Sequence, residues 1–358
     1  MNIVFRFFLV IIFCWVSSSA SFQSLTDKIR IRPDLPADQV IKVWVFFTDK
    51  GGGDVSLAKC VPVTDKALWR RAMRGADVDN TFYDREVNPV YVSATEPLVE
   101  KIGYPSRWLN AVSVEVKTAK LSKLADLPFV RRITEVAKFI RKPVVADDNL
   151  GFRKPAVTTD HDYGDSYNQL NQIRVIDLHH QGLSGAGVTI LMLDSGYKVS
   201  HQAFSHLDID STYDFINNDP DVEDSSGYID QQYHGTMTLS VIGGLTEGEV
   251  IGVAYDATYL LAKTEISHDN IEIEIEEDYW VAGIEWGEHL GADVVSSSLG
   301  YSDWYTYEDM DGKSAVTTVA ADIAASLGVI VVNSMGNGGR TAAKPTLIAP
   351  ADGDSVIA

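Results

Sequence analysis

Three short stretches of the 358-residue chain carry side chains suited to proton transfer and to stabilising negative charge. The apolar run VTILMLD, residues 188–194, ends abruptly on Asp194-Ser195-Gly196, so a carboxylate and a hydroxyl stand where a buried strand would surface. Open α/β sheets place working residues at strand carboxyl ends, although a terminal Asp also serves plain turn formation. His234 opens HGTMTLSVIGG (234–244), a short helix of small residues. The partial positive charge of a helix start suits a neutral imidazole acting as a base, and a neighbouring carboxylate would stabilise the imidazolium once a proton arrives. Gly235 would let that helix pack tightly under the site. Asn337 follows the apolar run VIVVNS (329–334) among glycines. Its amide could donate to a developing oxyanion, or simply shape an Asn-Gly turn. Taken alone, each stretch also has an ordinary structural explanation.

The elements that must position these residues follow from hydrophobic periodicity. Upstream, VIKVWVFF (40–47), WLNAVSVEVKT (108–118) and VRRITEVAKFI (130–140) read as strands. TDKALWRRAMRG (64–75, with a Thr cap), PLVEKIGY (97–104) and AKLSKLADLP (119–128) read as helices. These predict a small α+β domain over 21–141, followed by a Pro-containing linker at 142–165. From residue 166 to 358 the pattern alternates. Strands at 188–194, 257–264, 292–300 and 329–336 are interleaved with helices at 234–244, 276–290 and 314–328. Near-continuous apolar strands in that alternation predict an α/β, doubly wound, mostly parallel sheet with helices on both faces.

Composition narrows the setting. Residues 1–20 have Arg6, an apolar stretch from Phe7 to Val16 and a small-residue end, which reads as a secretory signal peptide cleaved after Ala20. No later segment offers a membrane span, so the expectation is an exported, soluble protein. Of the two cysteines, Cys14 leaves with the signal and Cys60 has no internal partner. Residues 21–150 hold 21 Lys and Arg against 17 Asp and Glu, whereas residues 151–358 hold 8 against 33. Opposite signs predict two domains that attract one another, and the acidic one is no partner for nucleic acid.

Together and in this order, LDSG at Asp194, HGT at His234 and SMGN ending on Asn337 resemble the motifs of the subtilisin-like serine proteases. The resemblance spans residues 166–358. It implies that Asp194 orients His234, that His234 takes a proton from a nucleophilic Ser, and that Asn337 binds the oxyanion. Ser195 is then the Ser or Thr usual beside that aspartate, its hydroxyl engaged in local hydrogen bonding. SSSLG (296–300) resembles the strand that pairs with bound substrate, which implies substrate-binding roles for Ser298, Leu299, Gly300 and, by the oxyanion motif, Gly336. WLNAVSVEVKTAKLSKLADLPFVRRI resembles the family's ferredoxin-like propeptide, which assists folding and then inhibits the cleft. The processing site would fall within 142–165, and peptide bonds of proteins are the implied substrate.

One part is missing from the pattern. The family's nucleophile lies in a Gly-Thr-Ser motif well after the oxyanion Asn, and no such motif occurs here. Ser296, Ser297 and Ser298 belong to the substrate strand, Ser334 precedes the Asn, and Ser355 sits in a polar turn. The expectation is a carboxyl-terminally incomplete copy of a longer secreted endopeptidase precursor, inactive without its nucleophile. The alternative is a non-catalytic peptide-binding protein with a protease-like shell. A dinucleotide-binding enzyme fits poorly, because the glycines of GLSGAG (182–187) precede the strand instead of following it. A metal-centred hydrolase lacks ligand spacing among His179, His180, His201, His206 and His234. No cofactor is required, and the acidic stretch at 217–230 offers oxygen ligands for a structural calcium without an EF-hand pattern.

Overall fold

In the computed structural model the described residues are 28–32, 35–51, 59–78, 82–136, 161–224, 231–267, 273–337 and 347–358. The segment read as a signal peptide and most of the linker lie outside them.

The first unit contains β1 (Ile29–Arg30), β2 (Val40–Phe47), α1 (Asp65–Met73), α2 (Pro89–Thr95), β3 (Lys101–Ser106), β4 (Ala111–Lys117), α3 (Leu121–Ala125) and β5 (Val130–Val136). Its sheet runs β1-β5-β2-β4-β3, antiparallel except for the β1–β5 pair. Thr64 caps α1 as expected, accepting the Ala67 N–H at 3.3 Å. The helix expected at 97–104 does not form. A single 3₁₀ turn, Glu96–Leu98, gives way to β3, which pairs antiparallel with β4. Gly103 and Pro105 are poor helix interior residues, and Pro105 is tolerated because β3 is an edge strand.

The second unit follows the alternation read from the sequence. It contains α4 (Tyr167–Gln172), α5 (Val175–His179), β6 (Thr189–Asp194), β7 (Asp208–Asp214), α6 (Tyr233–Gly243), a β8–β9 hairpin (Leu245–Thr246 and Val250–Ile251) and β10 (Thr258–Lys263). It continues with α7 (Ile275–Leu290), β11 (Val294–Ser297), α8 (Val316–Ser326), β12 (Ile330–Asn333) and β13 (Val356–Ile357). Six strands pair in parallel in the order β13-β12-β11-β6-β10-β7. Alternate residues of β6 divide between the faces. Leu191 and Leu193 join the cluster under α7 and α8, and Ile190 and Met192 join the one under α6. Edge strand β7, DIDSTYD, is polar along its length and carried no hydrophobic signal. Residues 161–165, read as the end of the linker, pack here: Tyr163 is buried with Leu170, Ile176 and Ile251.

The two units share one core. In β2, Val43, Val45 and Phe47 face the first unit's own interior, while Trp44 and Phe46 pack with Trp108, Trp280, Val281 and Ile284 across the seam. Both faces of β2 are covered, which is why VIKVWVFF is almost continuously apolar. Charge follows the same seam. Lys42 Nζ lies 2.8 Å from Asp278 Oδ1, and Arg107 Nη2 donates to the Glu285 carbonyl at 2.7 Å. Arg70 and Arg71 both reach Glu288, and Arg71 also forks onto Asp84 through two bonds of 2.9 Å. Arg70, Arg71, Glu285 and Glu288 are buried. Breaking a buried pair strands a desolvated charge, whereas an exposed pair contributes little. Arg71→Met is therefore expected to lower the unfolding free energy in urea by about 3–5 kcal/mol. Lys101→Met, which removes an exposed pair with Glu115, is expected to change it by less than about 1 kcal/mol.

Candidate active site

Strand order decides which residues can meet. Strands β6, β11 and β12 are parallel neighbours, so Asp194, Ser297 and Asn333 end them at one edge of the sheet. The segments that follow, 195–197, 298–300 and 334–337, leave from that edge.

Asp194 is fully buried. Its Oδ1 lies 2.7 Å from His234 Nδ1 and accepts the Ser195 N–H at 2.7 Å; its Oδ2 accepts the Thr238 hydroxyl at 3.0 Å. Helix α6 brings His234 and Thr238 to the same carboxylate because residues four apart share a helix face. Thr238 was not singled out from sequence, although that spacing was available in HGTMT. Gly235 makes the approach possible: a Cβ there would stand 2.1 Å from the Gly196 carbonyl oxygen and 3.1 Å from Asp194 Cβ. The His234 side chain is 44% exposed, so a buried carboxylate holds one ring nitrogen while the imidazole remains accessible. This pair can accept a proton at Nε2 and stabilise the resulting charge.

Ser195 departs from expectation in one respect. Its hydroxyl is buried and has no hydrogen-bond partner among the described residues, so the expected local hydrogen bond is absent. The backbone makes the contacts instead, the carbonyl accepting from Gln231 Nε2 at 2.9 Å. A hydroxyl enclosed in this way is not presented to a ligand.

Segment 298–300 is tied to the segment leading to Asn337. Asn333 Nδ2 donates to the Leu299 carbonyl at 2.8 Å, and the Ser334 N–H donates to the Ser297 carbonyl at 3.0 Å. Leu299 is buried, while Ser298 and Gly300 are partly accessible. Gly300 and Gly336 converge on Ile348: Cβ atoms added at the two positions would lie 2.3 and 2.8 Å from its Cδ1. Asn337 is exposed at the end of this segment. Among the described residues there is no group of three His, Cys, Asp or Glu placed to hold a metal ion, and no helix is long and apolar enough to cross a membrane.

The stretch after Gly300 is anchored from α7. Buried Glu277 accepts from Trp304 Nε1 at 2.9 Å and from the Tyr305 hydroxyl at 2.8 Å. Burial drives its carboxyl from 4.5 up to about 7, with those hydrogen bonds opposing. Between about pH 4.5 and 7 the unfolded chain releases a proton that the folded chain keeps, so stability falls as pH rises through this window. The fall is on the order of 3 kcal/mol. Glu277→Gln is expected to flatten the melting temperature across that window, measured by calorimetry at fixed ionic strength. Gly235→Ala is expected to lower the melting temperature by several degrees and to weaken the His234–Asp194 contact, seen as altered imidazole resonances.

Residues 185–358 match the model of the subtilase family, and residues 42–149 match that of the peptidase S8 propeptide domain of Bacteroidota. Over 201 residues the chain is 30% identical to subtilisin E of Bacillus subtilis (strain 168), which covers 55% of this chain and 47% of that protein. It is 25% identical over 225 residues to the minor extracellular protease Vpr of the same organism, covering 60% and 25% respectively. The chain spans about half the length of curated relatives such as subtilisin E. Among solved structures, fervidolysin from Fervidobacterium pennivorans, a keratinolytic enzyme related to subtilisin, superposes with a TM-score of 0.53. That match has 19% identity and covers 88% of this chain and 44% of that one, a likeness of fold. With these matches, the parallel sheet and a smaller mixed unit ahead of it, the chain belongs to the subtilase family and carries that family's propeptide domain before its subtilase domain.

Proposed function

We propose that this chain is part of a secreted serine endopeptidase precursor whose nucleophilic serine lies beyond Ala358. The observation that carries the reading is the 2.7 Å contact between buried Asp194 and accessible His234 at the carboxyl edge of a parallel sheet. In the reaction, the serine hydroxyl attacks the scissile carbonyl carbon and its proton passes to His234 Nε2. Asp194 holds the tautomer whose Nε2 is unprotonated and stabilises the imidazolium. The carbonyl oxygen becomes an oxyanion, which accepts a hydrogen bond from the Asn337 amide. Collapse of the adduct breaks the C–N bond as His234 returns the proton to the leaving amine, and water then releases the acyl group by the same route in reverse. Segment 298–300 aligns the substrate backbone, and Gly336 joins it in binding substrate. The first unit acts as an intramolecular inhibitor until cleavage within 142–165.

The α6 side of the sheet supports a further helix there. Tyr233, Met237 and Val241, spaced four apart, are exposed along α6, and Ile330 and Val332 of β12 are part-exposed on the same side. Such a stripe beside a partly covered strand fits a missing layer.

Reading the source DNA past the codon for Ala358 is the direct test, and a Gly-Thr-Ser helix start in frame is the expected result. In the longer protein, Asp194→Asn is expected to reduce kcat on casein about ten-thousand-fold, and Asn337→Ala about a hundred- to a thousand-fold. Full activity in either variant would refute the assigned role. Peptide binding without turnover in the longer protein would favour the non-catalytic reading.

A further inference from the structure

We propose that Lys263 is a positioning residue that holds the His234 helix against Asp194 through Asp224 and Gln232. The proposal rests on the Asp194–His234 reading above and adds a group that the sequence motifs do not contain.

Lys263 ends β10, in register with Asp194 on one side and Asp214 on the other. It is buried, and its Nζ lies 3.1 Å from Asp214 Oδ2 and 3.4 Å from Asp224 Oδ1. The two carboxylates continue the connection in different directions. Asp214 gathers the turn after β7, accepting the N–H groups of Ile216 at 2.8 Å and Asn217 at 3.0 Å, and the Asn217 amide at 2.8 Å. Asp224 forms a reciprocal pair with Gln232: the Gln232 N–H donates to Asp224 Oδ2 at 2.8 Å, and the Asp224 N–H donates to Gln232 Oε1 at 3.0 Å.

Gln232 is the residue from which α6 starts, two positions before His234. Its carbonyl accepts both the Thr236 N–H and the Thr236 hydroxyl, and that hydroxyl accepts the Lys198 N–H at 2.9 Å. The helix start is thereby tied to the chain just after Asp194. The Lys263 stem closes the circuit, since a Cβ at Gly196 would meet its Cδ at 3.2 Å and the Val222 carbonyl at 3.0 Å. That carbonyl accepts the Tyr197 N–H at 2.8 Å. One buried ammonium thus fixes the two backbones whose separation sets the Asp194–His234 distance.

A buried cation shared by two carboxylates has few alternative placements, because each lost contact strands a desolvated charge. Removing it frees Asp224, and with it the end of α6 that carries the imidazole.

The test reads the histidine itself. Free imidazole favours the Nε2–H tautomer, whereas a carboxylate at Nδ1 selects Nδ1–H, and ring ¹⁵N shifts separate the two. In the 358-residue chain, wild type is expected to show His234 chiefly as Nδ1–H. Asp194→Asn sets the reference for loss of that selection. Lys263→Met and Asp224→Ala are each expected to move the population several-fold toward Nε2–H. Asp224→Ala removes the acceptor of the Gln232 N–H and leaves Lys263 paired with Asp214, so it decides the matter if Lys263→Met does not fold. An unchanged tautomer in folded Asp224→Ala, whatever its melting temperature, overturns the proposal. An unchanged tautomer in Asp194→Asn overturns the underlying catalytic pair instead, so the two failures are distinguishable.

Discussion

Helix α7 must be satisfied on every side, and most of the architecture answers to that requirement. It is buried along nearly its whole length despite carrying Glu276, Glu277, Asp278, Glu285 and Glu288. Apolar residues Trp280, Val281 and Ile284 lie in the core shared by both units. Its carboxylates need partners, because an unpaired buried charge is among the most costly features a fold can contain. Asp278, Glu285 and Glu288 find them in the basic first unit, Glu277 in Trp304 and Tyr305, and Glu276 in the N–H groups of Ile266 and Ile273. The charge imbalance between the two halves of the sequence therefore becomes specific at one helix, where lysine and arginine of one half meet glutamate and aspartate of the other.

The site depends on the same economy of burial. Asp194 lies at zero exposure yet accepts from His234, Ser195 and Thr238, so its oxygens are occupied without solvent. The imidazole is held at Nδ1 while its side chain stays 44% exposed, an asymmetry that a rigid strand end and a closely packed glycine produce together. Behind it, Lys263 supplies a fixed positive charge to the acidic turn between β7 and α6.

Much of this was legible in the sequence. β6, β10, β11 and β12 of the second sheet were plain, β6 and β10 because burial on both faces writes a continuous apolar run, and an Asp at a strand end follows from β6. What escaped detection was set by partners far away in the chain. The second half of PLVEKIGY became part of an edge strand because β4 offered it a ladder. DIDSTYD could be a strand because β10 lay beside it. Lys263 looked like the polar end of an ordinary strand, and nothing local revealed that it would be enclosed with Asp214 and Asp224. The hydroxyl of Ser195 was misjudged for a related reason, since backbone groups took the partners that its side chain was expected to find.

The shared core also bears on how the protein comes apart. A single apolar cluster contains Trp44, Phe46 and Trp108 together with Trp280, Tyr301 and Val316, and buried ion pairs cross the same seam beside it. Cutting the chain between the units severs a covalent link but leaves that cluster closed. Separation then requires exposing three tryptophans and several ion-pair halves in one step, which makes dissociation cooperative and slow. In a chain cut between the units, cutting and separation would be different events, and the barrier between them is built into the packing.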